Sequence, residues 1–276
     1  ALQCITLFKI MAISRNTISR RSLWVGFAAI LACWTPTVSA QTVTDIDGNV
    51  YTAVRIGDQL WMAENLRTSK YADGTPIPNV STKNEWGALS SGAWSHKGRE
   101  ANNDTIYGKL YNGFAALDPR GLCPEGWRMP TDGEWTLLTD YLGGEALAGG
   151  KLKATGTKSE NAKLWNEPNL GATNESGFTA LPGESIGFDG AAVVATQNNQ
   201  AFFWTATRVP ANPNAAYRRM LAYNNGSVSR WAHDLNYGYS VRCLSQNPLS
   251  ADAPSVSTDE VERVRADRAT VRASVT

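Results

Sequence analysis

Cysteine and histidine, the residue types that most often carry catalysis or bind metals, are scarce in this chain. Its 276 residues include four cysteines and two histidines, His96 and His233. Acidic residues are more numerous, but a general acid–base pair is recognised by its geometry and shifted pKa rather than by its presence in a sequence. We therefore expect both histidines in surface or hydrogen-bonded structural roles, and the sequence assigns no catalytic residue.

Tryptophan is the residue type that best predicts a binding role. Eight of the ten tryptophans follow residue 40, and aromatic rings pack on sugar rings and anchor protein interfaces. Those within strand or helix patterns are expected in the core: Trp61, Trp127, Trp135 and Trp204. The four that lie near loops are the candidate ligand-binding residues: Trp86, Trp94, Trp165 and Trp231.

The first forty residues have the composition of a secretory signal. Four basic residues and no acidic residue come first, an apolar run from Leu23 to Cys33 follows, and small residues end the segment at Ala40. The apolar run is too short to span a bilayer, which takes about twenty residues, so no transmembrane anchor is expected. Residues 1–40 are interpreted as a signal peptide with upstream residues, and a lipid anchor at Cys33 is the alternative.

The cysteines that follow residue 40 are Cys123 and Cys243. An even pair in an exported protein favours a disulfide, whereas a metal site would need further cysteine or histidine ligands nearby. The sequence therefore predicts a disulfide between these two residues. Closure of so long a loop would contribute roughly 2–4 kcal/mol to the free energy of unfolding.

The distribution of charge argues against a nucleic-acid partner. Removal of the four basic residues in 1–40 changes the formal net charge from +1 to −3. The remaining lysines and arginines are dispersed among acidic and aromatic residues, whereas proteins that bind nucleic acids cluster them to neutralise phosphates.

A helix is expected where a threonine and a glutamate have the spacing of a capping box. In this motif the Thr131 side chain accepts a backbone hydrogen bond and Glu134 reaches back to the start of the helix. A glycine pair ends this helix, and a second short helix is expected from Glu145 to about Lys153. Five apolar residues are expected on the buried face of the first helix: Trp135, Leu137, Leu138, Tyr141 and Leu142.

Short strands joined by turn dipeptides account for most of the remaining pattern. The clearest hairpin pairs Tyr217–Tyr223 with Ser227–Trp231, because the Asn-Asn-Gly turn between them supplies the positive-φ positions that a tight turn needs. Such short elements do not suit a parallel sheet with crossover helices, so the sequence predicts an α+β domain. Other predicted strands are Val50–Ile56, Gln59–Met62, Phe202–Thr207 and a closing strand, Tyr239–Cys243.

Six blocks follow one another in the order of a known family. They are Trp61–Leu66 (WMAENL), Tyr71–Gly74 (YADG), Gly108–Asn112 (GKLYN), Leu122–Trp135 (LCPEGWRMPTDGEW), Gly171–Phe178 (GATNESGF) and Tyr239–Cys243 (YSVRC). In this order they resemble the Fibrobacter succinogenes major paralogous domain over about residues 42–245. That family is more distantly similar to the formylglycine-generating-enzyme and C-type-lectin-like group.

This resemblance implies a compact C-type-lectin-like α+β fold with irregular antiparallel sheets, one or two short helices and long ordered loops. It also implies an exported bacterial protein, and it implies no settled biochemical activity. An oxidase of the formylglycine-generating type would need a reactive cysteine pair that holds copper, whereas Cys123 and Cys243 are better placed for a structural bridge. A secreted enzyme of that type, or one that acts on carbohydrates, is therefore the alternative function.

The triplet Glu167-Pro168-Asn169 resembles the one with which calcium-dependent lectins hold the ion and the sugar hydroxyls. On this resemblance Glu167 and Asn169 are candidate metal ligands, and calcium is the one cofactor that the sequence suggests. A later strand would have to supply further ligands, typically in a Trp-Asn-Asp sequence. Here Trp204 is followed by threonine and alanine instead, which counts against the site.

The domain organisation predicted from these features has three parts. Residues 1–40 are the signal segment, residues 41–247 form the lectin-like domain, and residues 248–276, which contain no aromatic residue, form a flexible tail. The expected function is an exported binding or interaction module of the cell envelope or cell surface. Its expected partner is a glycan or an envelope protein.

Overall fold

A computed structural model describes residues 41–191 and 198–247. The predicted signal segment with Cys33, and the predicted tail at 248–276, lie outside the described residues. Within the described ranges, no helix has both the length and the apolar character needed to cross a lipid bilayer.

Short helices are set among three antiparallel sheets, which makes this an α+β fold. The strands, in chain order, are β1 (Thr42–Thr44), β2 (Val50–Ile56), β3 (Gln59–Met62), β4 (Trp94–His96), β5 (Lys109–Asn112), β6 (Trp127–Arg128), β7 (Gln200–Val209), β8 (Asn212–Ala222), β9 (Val228–Asp234), β10 (Gly238–Tyr239) and β11 (Leu244–Ser245). The α-helices are α1 (Lys83–Gly87), α2 (Asp104–Tyr107), α3 (Gly113–Ala116), α4 (Asp132–Tyr141) and α5 (Glu145–Leu152).

Strand order shows how distant parts of the chain meet. One sheet has the order β1-β2-β3-β11-β6, so the N-terminal strands pair with the last strand of the domain. The second sheet is β10-β5-β4 and the third is β7-β8-β9. The predicted strands Val50–Ile56 and Gln59–Met62 are confirmed with the same bounds, and the predicted hairpin is confirmed as the longer pair β8–β9.

The predicted closing strand, Tyr239–Cys243, is wrong as a single strand. The chain leaves the second sheet at Tyr239 and enters the first at Leu244. Between them its carbonyls bond to different elements: that of Val241 accepts from Leu66 at 2.8 Å, and that of Cys243 accepts from Met62 at 3.1 Å. Because this segment crosses between sheets through the core, its residues are buried on all sides and do not alternate between core and solvent.

The two predicted helices are confirmed, and the second turns back against the first after a glycine pair. The Thr131 side chain accepts from the Glu134 backbone at 3.2 Å, and the Glu134 carboxylate accepts from the Thr131 backbone at 2.7 Å, so the capping box is complete. Leu137 and Tyr141 are exposed rather than buried, because α4 packs on the core through a narrower stripe than the sequence predicts. The structure also contains three one-turn helices, α1 to α3, in addition to the one or two helices that were predicted.

The core joins several of the family blocks around one arginine. Arg242 is fully buried, and its Nε donates to the Asn65 side-chain oxygen at 3.0 Å. It also donates to the carbonyl of Phe178 and lies 4.0 Å over that ring. Phe178 in turn makes edge contacts with Trp61 and Trp135 at 5.7 Å. The WMAENL, NESGF and YSVRC blocks are therefore packing motifs of one core.

Candidate functional site

The third sheet carries two adjacent arginines that point to opposite faces. Successive side chains alternate across a strand, so Arg218 and Arg219 of β8 face opposite sides of the β7-β8-β9 sheet. The turn 224–226 fixes the register of the hairpin, which pairs Arg218 with Trp231 and Arg219 with Arg230.

Arg219 anchors the helices to one face of this sheet. Its side chain is fully buried and forms ion pairs with Asp132 of α4 at 2.9 Å and with Glu145 of α5 at 3.0 Å. Asp132 also pairs with the exposed Arg230 at 2.8 Å. This guanidinium is therefore compensated by carboxylates and holds α4 and α5 in place.

Arg218, on the other face, is buried without a carboxylate partner. The residue is 6% exposed, yet none of the ion pairs within residues 41–191 and 198–247 involves it. Its Nη1 donates to Ser229 Oγ at a long 3.4 Å, and its guanidinium lies 5.1 Å from the Phe202 ring centroid. The buried Nε has no hydrogen-bond partner among the described residues. Burial lowers the pKa of Arg218, although the neighbouring Tyr239 opposes this shift.

A line of aromatic rings extends from Arg218 across this face. Trp231 is 63% exposed, and His233 lies two residues further along the same strand and face. The His233 ring is 4.5 Å from that of Tyr237, which is 5.8 Å from the exposed ring of Phe188. We call these five residues, Arg218 with Trp231, His233, Tyr237 and Phe188, the arginine–tryptophan face.

His233 adds no positive charge to this face at neutral pH. Burial, with the nearby charge of Arg218, lowers its pKa to about 4. Its Nδ1 is hydrogen-bonded to the hydroxyl of the buried Tyr239, whose pKa burial raises. Both side chains are therefore neutral at pH 7, and the charges that act on His233 are the positive charge of Arg218 and the negative charge of Asp234.

A depression of about 710 Å³ lies at the Phe188 end of the face. Amide and carboxylate side chains are suited to hydrogen-bonding hydroxyl groups. An aromatic ring beside several such groups is an arrangement that can hold a polar ring-shaped ligand. Its lining includes Phe188, Asn212, Asn214, Asp234 and Asn236.

Three of the four candidate tryptophans lie in the core. Trp86, Trp94 and Trp165 are buried, and their indole N–H groups donate to backbone carbonyls at 2.7, 2.9 and 2.9 Å. A buried ring offers no free face to a sugar, so in this structure these three residues serve packing. Trp231 alone of the four is exposed, and the structure does not bring the four together.

The candidate calcium ligands Glu167 and Asn169 both hydrogen-bond within their own loop, but the buried Asn169 Oδ1 has no hydrogen-bond partner among the described residues. The exposed Glu167 carboxylate accepts from the Ser159 backbone at 3.1 Å, and hydrogen bonds from Ser159 lower its pKa to about 2. The buried Asn169 amide donates to the carbonyls of Ala154 and Gly156 at 3.0 and 2.8 Å. No group of three or more His, Cys, Asp or Glu suited to a metal occurs in residues 41–191 or 198–247.

The predicted disulfide between Cys123 and Cys243 is confirmed. A groove of about 860 Å³ runs beside Cys123, and its volume is larger than that of the depression at Phe188. Three of its four ionic side chains are paired, Asp118 with Arg120 at 2.7 Å and Arg128 with Glu134 outside the groove wall, and Glu125 is the fourth. The groove lacks an exposed aromatic ring of the kind that Trp231 and Phe188 present.

A Gly-x-Ser-x-Gly spacing occurs at residues 183–187. In hydrolases this pattern forms a strand–turn–helix elbow that exposes the serine. Here Ser185 is buried, and its neighbours Glu184 and Ile186 form isolated bridges to β7 and β10. No helix follows within residues 187–191. The segment is a structural connection rather than a nucleophile elbow.

Arg218, Tyr237 and Phe188 were not identified from the sequence. For Arg218 a usable signal exists, because two arginines interrupt a strand that is otherwise apolar, and the hairpin turn sets which of them lies beside Trp231. Tyr237 and Phe188 belong to loops, and no periodicity in the sequence brings them to this sheet.

The match to a known family covers all six blocks. The family model described as the Fibrobacter succinogenes major domain matches residues 54–245. No curated protein and no solved structure matches the chain. Because the match covers more than half of the chain and includes the core around Arg242, the protein belongs to the Fibrobacter succinogenes major domain family.

Proposed function

We propose that this protein is an exported bacterial binding module of the cell envelope or surface, with a C-type-lectin-like organisation, that recognises carbohydrate through the arginine–tryptophan face. The observation that carries the proposal is the exposure of Trp231 beside a line of aromatic rings. A contiguous patch of exposed aromatic rings marks an interaction site, whereas a single exposed ring such as Tyr141 needs no partner. Export is supported by the disulfide, because such bonds persist in oxidising compartments.

Carbohydrate is favoured as the ligand by the mixture of groups on this face. Sugar rings have apolar C–H faces that pack on aromatic rings, and their hydroxyls need hydrogen-bond partners at the edges. Trp231 and Phe188 supply the rings, while Asn212 and Asp234 supply polar groups at one end. A purely apolar protein interface would not need this row of amides and a carboxylate.

Affinity gel electrophoresis of the full chain tests this proposal. The probes are laminarin and arabinoxylan, which are neutral, and polygalacturonate and κ-carrageenan, which are acidic. At least one probe is expected to retard the protein, and Trp231→Ala should weaken that binding at least about tenfold because the aromatic anchor is lost.

Tyr141→Ala is the matched control, because Tyr141 is similarly exposed on α4 and lies outside the arginine–tryptophan face. This variant should be retarded like the unmodified protein. The proposal fails if none of the four polysaccharides retards the chain, or if Trp231→Ala and Tyr141→Ala bind equally well.

A further inference from the structure

We propose that Arg218 binds an anionic group of the ligand, so that the carbohydrate recognised is an acidic one carrying a carboxylate or a sulfate ester. The sugar ring packs on Trp231 while the anion pairs with the guanidinium. This inference rests on the proposed function and specifies its ligand class.

The first argument is that Arg218 is the exception among the buried arginines of the described residues. Arg219 has two carboxylate partners, and Arg242 donates to Asn65 and to the carbonyl of Phe178. Arg218 has one long hydrogen bond, from Nη1 to Ser229. Its Nε and Nη2 make no hydrogen bond to residues 41–191 or 198–247, and Nη2, unlike Nε, is not sealed from solvent.

A buried charge with unused donors is costly, because the protein replaces neither its hydration nor its counter-ion. An apolar side chain of similar length would pack at this position without that cost. The unpaired guanidinium is therefore explained if its partner is a group that arrives with the ligand.

The surroundings of Arg218 leave its positive charge uncompensated. The polar groups that face it are the hydroxyls of Ser229, Tyr237 and Tyr239 and the ring of His233. Each of these is neutral at pH 7. A desolvated guanidinium among neutral groups attracts an anion more strongly than a hydrated one does.

The position of Trp231 matches a ligand that is both cyclic and charged. Residues paired across antiparallel strands have Cβ atoms about 5 Å apart, and Trp231 is the cross-strand partner of Arg218. A sugar on the exposed indole thus carries its substituents close to the guanidinium. Arginine presents a planar fork of donors that fits a carboxylate or sulfate, which is why the ligand class is an acidic sugar rather than a neutral one.

The test compares Arg218→Met with Arg219→Met in the full chain, by titration with polygalacturonate and with its methyl ester, which removes the charge and keeps the sugar. κ-Carrageenan and agarose form a second pair, in which a sulfate ester replaces the carboxylate. The unmodified protein is expected to bind polygalacturonate or κ-carrageenan, and whichever one binds identifies the anion. Arg218→Met should weaken that binding about 10- to 100-fold, as loss of a charge-assisted hydrogen bond does.

Thermal unfolding separates a binding role from a structural one. Arg218→Met should keep or raise the melting temperature, because an uncompensated buried charge is removed. Arg219→Met should lower it, because Asp132 loses its buried partner. Arg218→Lys, which keeps the charge without the fork, should fold and show intermediate binding.

Several outcomes overturn the inference. One is a fall in melting temperature for Arg218→Met as large as that for Arg219→Met, and another is retention of acidic-sugar binding by Arg218→Met. Binding of laminarin or arabinoxylan that depends on Trp231 but not on Arg218 would overturn this inference and leave the proposed function intact. Binding of no polysaccharide would overturn both.

Discussion

His233 is a residue of the candidate site whose titration in the acid range depends on folding. Its pKa falls from 6.5 to about 4 through burial and the nearby Arg218, while its Nδ1 is hydrogen-bonded to Tyr239. In the unfolded chain His233 therefore binds a proton near pH 6.5, whereas in the folded chain it does not bind one until about pH 4. The proton taken up by the unfolded state favours unfolding in acid.

We predict that the free energy of unfolding falls as the pH is lowered from 6.5 to 4, by about 2 kcal/mol through His233. Above pH 6.5 the residue is neutral in both states and contributes no slope. Urea unfolding at a series of pH values measures this, and His233→Gln should remove most of the slope in that window. An unchanged slope in His233→Gln would show that other groups cause the acid sensitivity.

At the scale of elements, α5 depends on its glycines for close packing. Gly149 is buried where the helix meets the turn between β8 and β9, and a Cβ at this position would overlap the carbonyl oxygen of Ser227. Gly133, in the first turn of α4, is exposed and has open space around the same position. Packing against backbone therefore requires Gly149, whereas no contact of that kind requires Gly133.

We predict that Gly149→Ala destabilises the protein although alanine is the better helix former by about 1 kcal/mol. The overlap with backbone forces the helix away from the sheet, and a net loss of about 1–3 kcal/mol is expected. Gly133→Ala is the matched control and should raise stability by about 0.5–1 kcal/mol. Chemical denaturation of both variants measures the difference, and a Gly149→Ala protein as stable as Gly133→Ala would refute the packing argument.

For individual elements, the sequence predicts the features that are formed by interactions within a few residues. The capping box of Thr131 and Glu134 and the 224–226 turn each act within a few residues, and the sequence predicts both. The closing segment was not, because its hydrogen bonds go to Leu66, Met62 and Trp204, which lie far away in sequence. The exposure of Leu137 and Tyr141 depends likewise on which other elements cover α4.

At the scale of the whole molecule, the disulfide joins the segment before β6 to the segment before β11, across 120 residues of sequence. It thus ties the last part of the domain to its middle, next to the buried Arg242. Removal of the bond leaves the folded contacts in place and frees the unfolded chain, so its effect belongs mainly to the unfolded state.

We predict that the double variant Cys123→Ser, Cys243→Ser lowers the free energy of unfolding by about 2–4 kcal/mol. Urea unfolding of both proteins without reductant gives the difference. The unmodified protein in reducing buffer is the control and should behave like the double variant. Equal stability of the two proteins without reductant would contradict a stabilising role for this bond.

The sequence by itself determined the features that arise from local pattern and from composition: the α+β class, the strands β2 and β3, the helix after Pro130, the cysteine pairing and the family likeness. The strands and the helix depend on residue type and short spacing. The cysteine pairing follows from the presence of two cysteines after residue 40, and the family likeness follows from the order of the six blocks. The tertiary structure alone decided that Trp86, Trp94 and Trp165 are buried while Trp231 is exposed.

It also decided that Arg218 lacks a carboxylate while its neighbour Arg219 has two. Exposure and charge compensation depend on which distant segments pack against a side chain. For Arg219 those segments are α4 and α5, and for Arg218 they are the loop that carries Tyr237 and the strand β10 that carries Tyr239. Such encounters are fixed by the fold of the whole chain, and no spacing within the sequence encodes them.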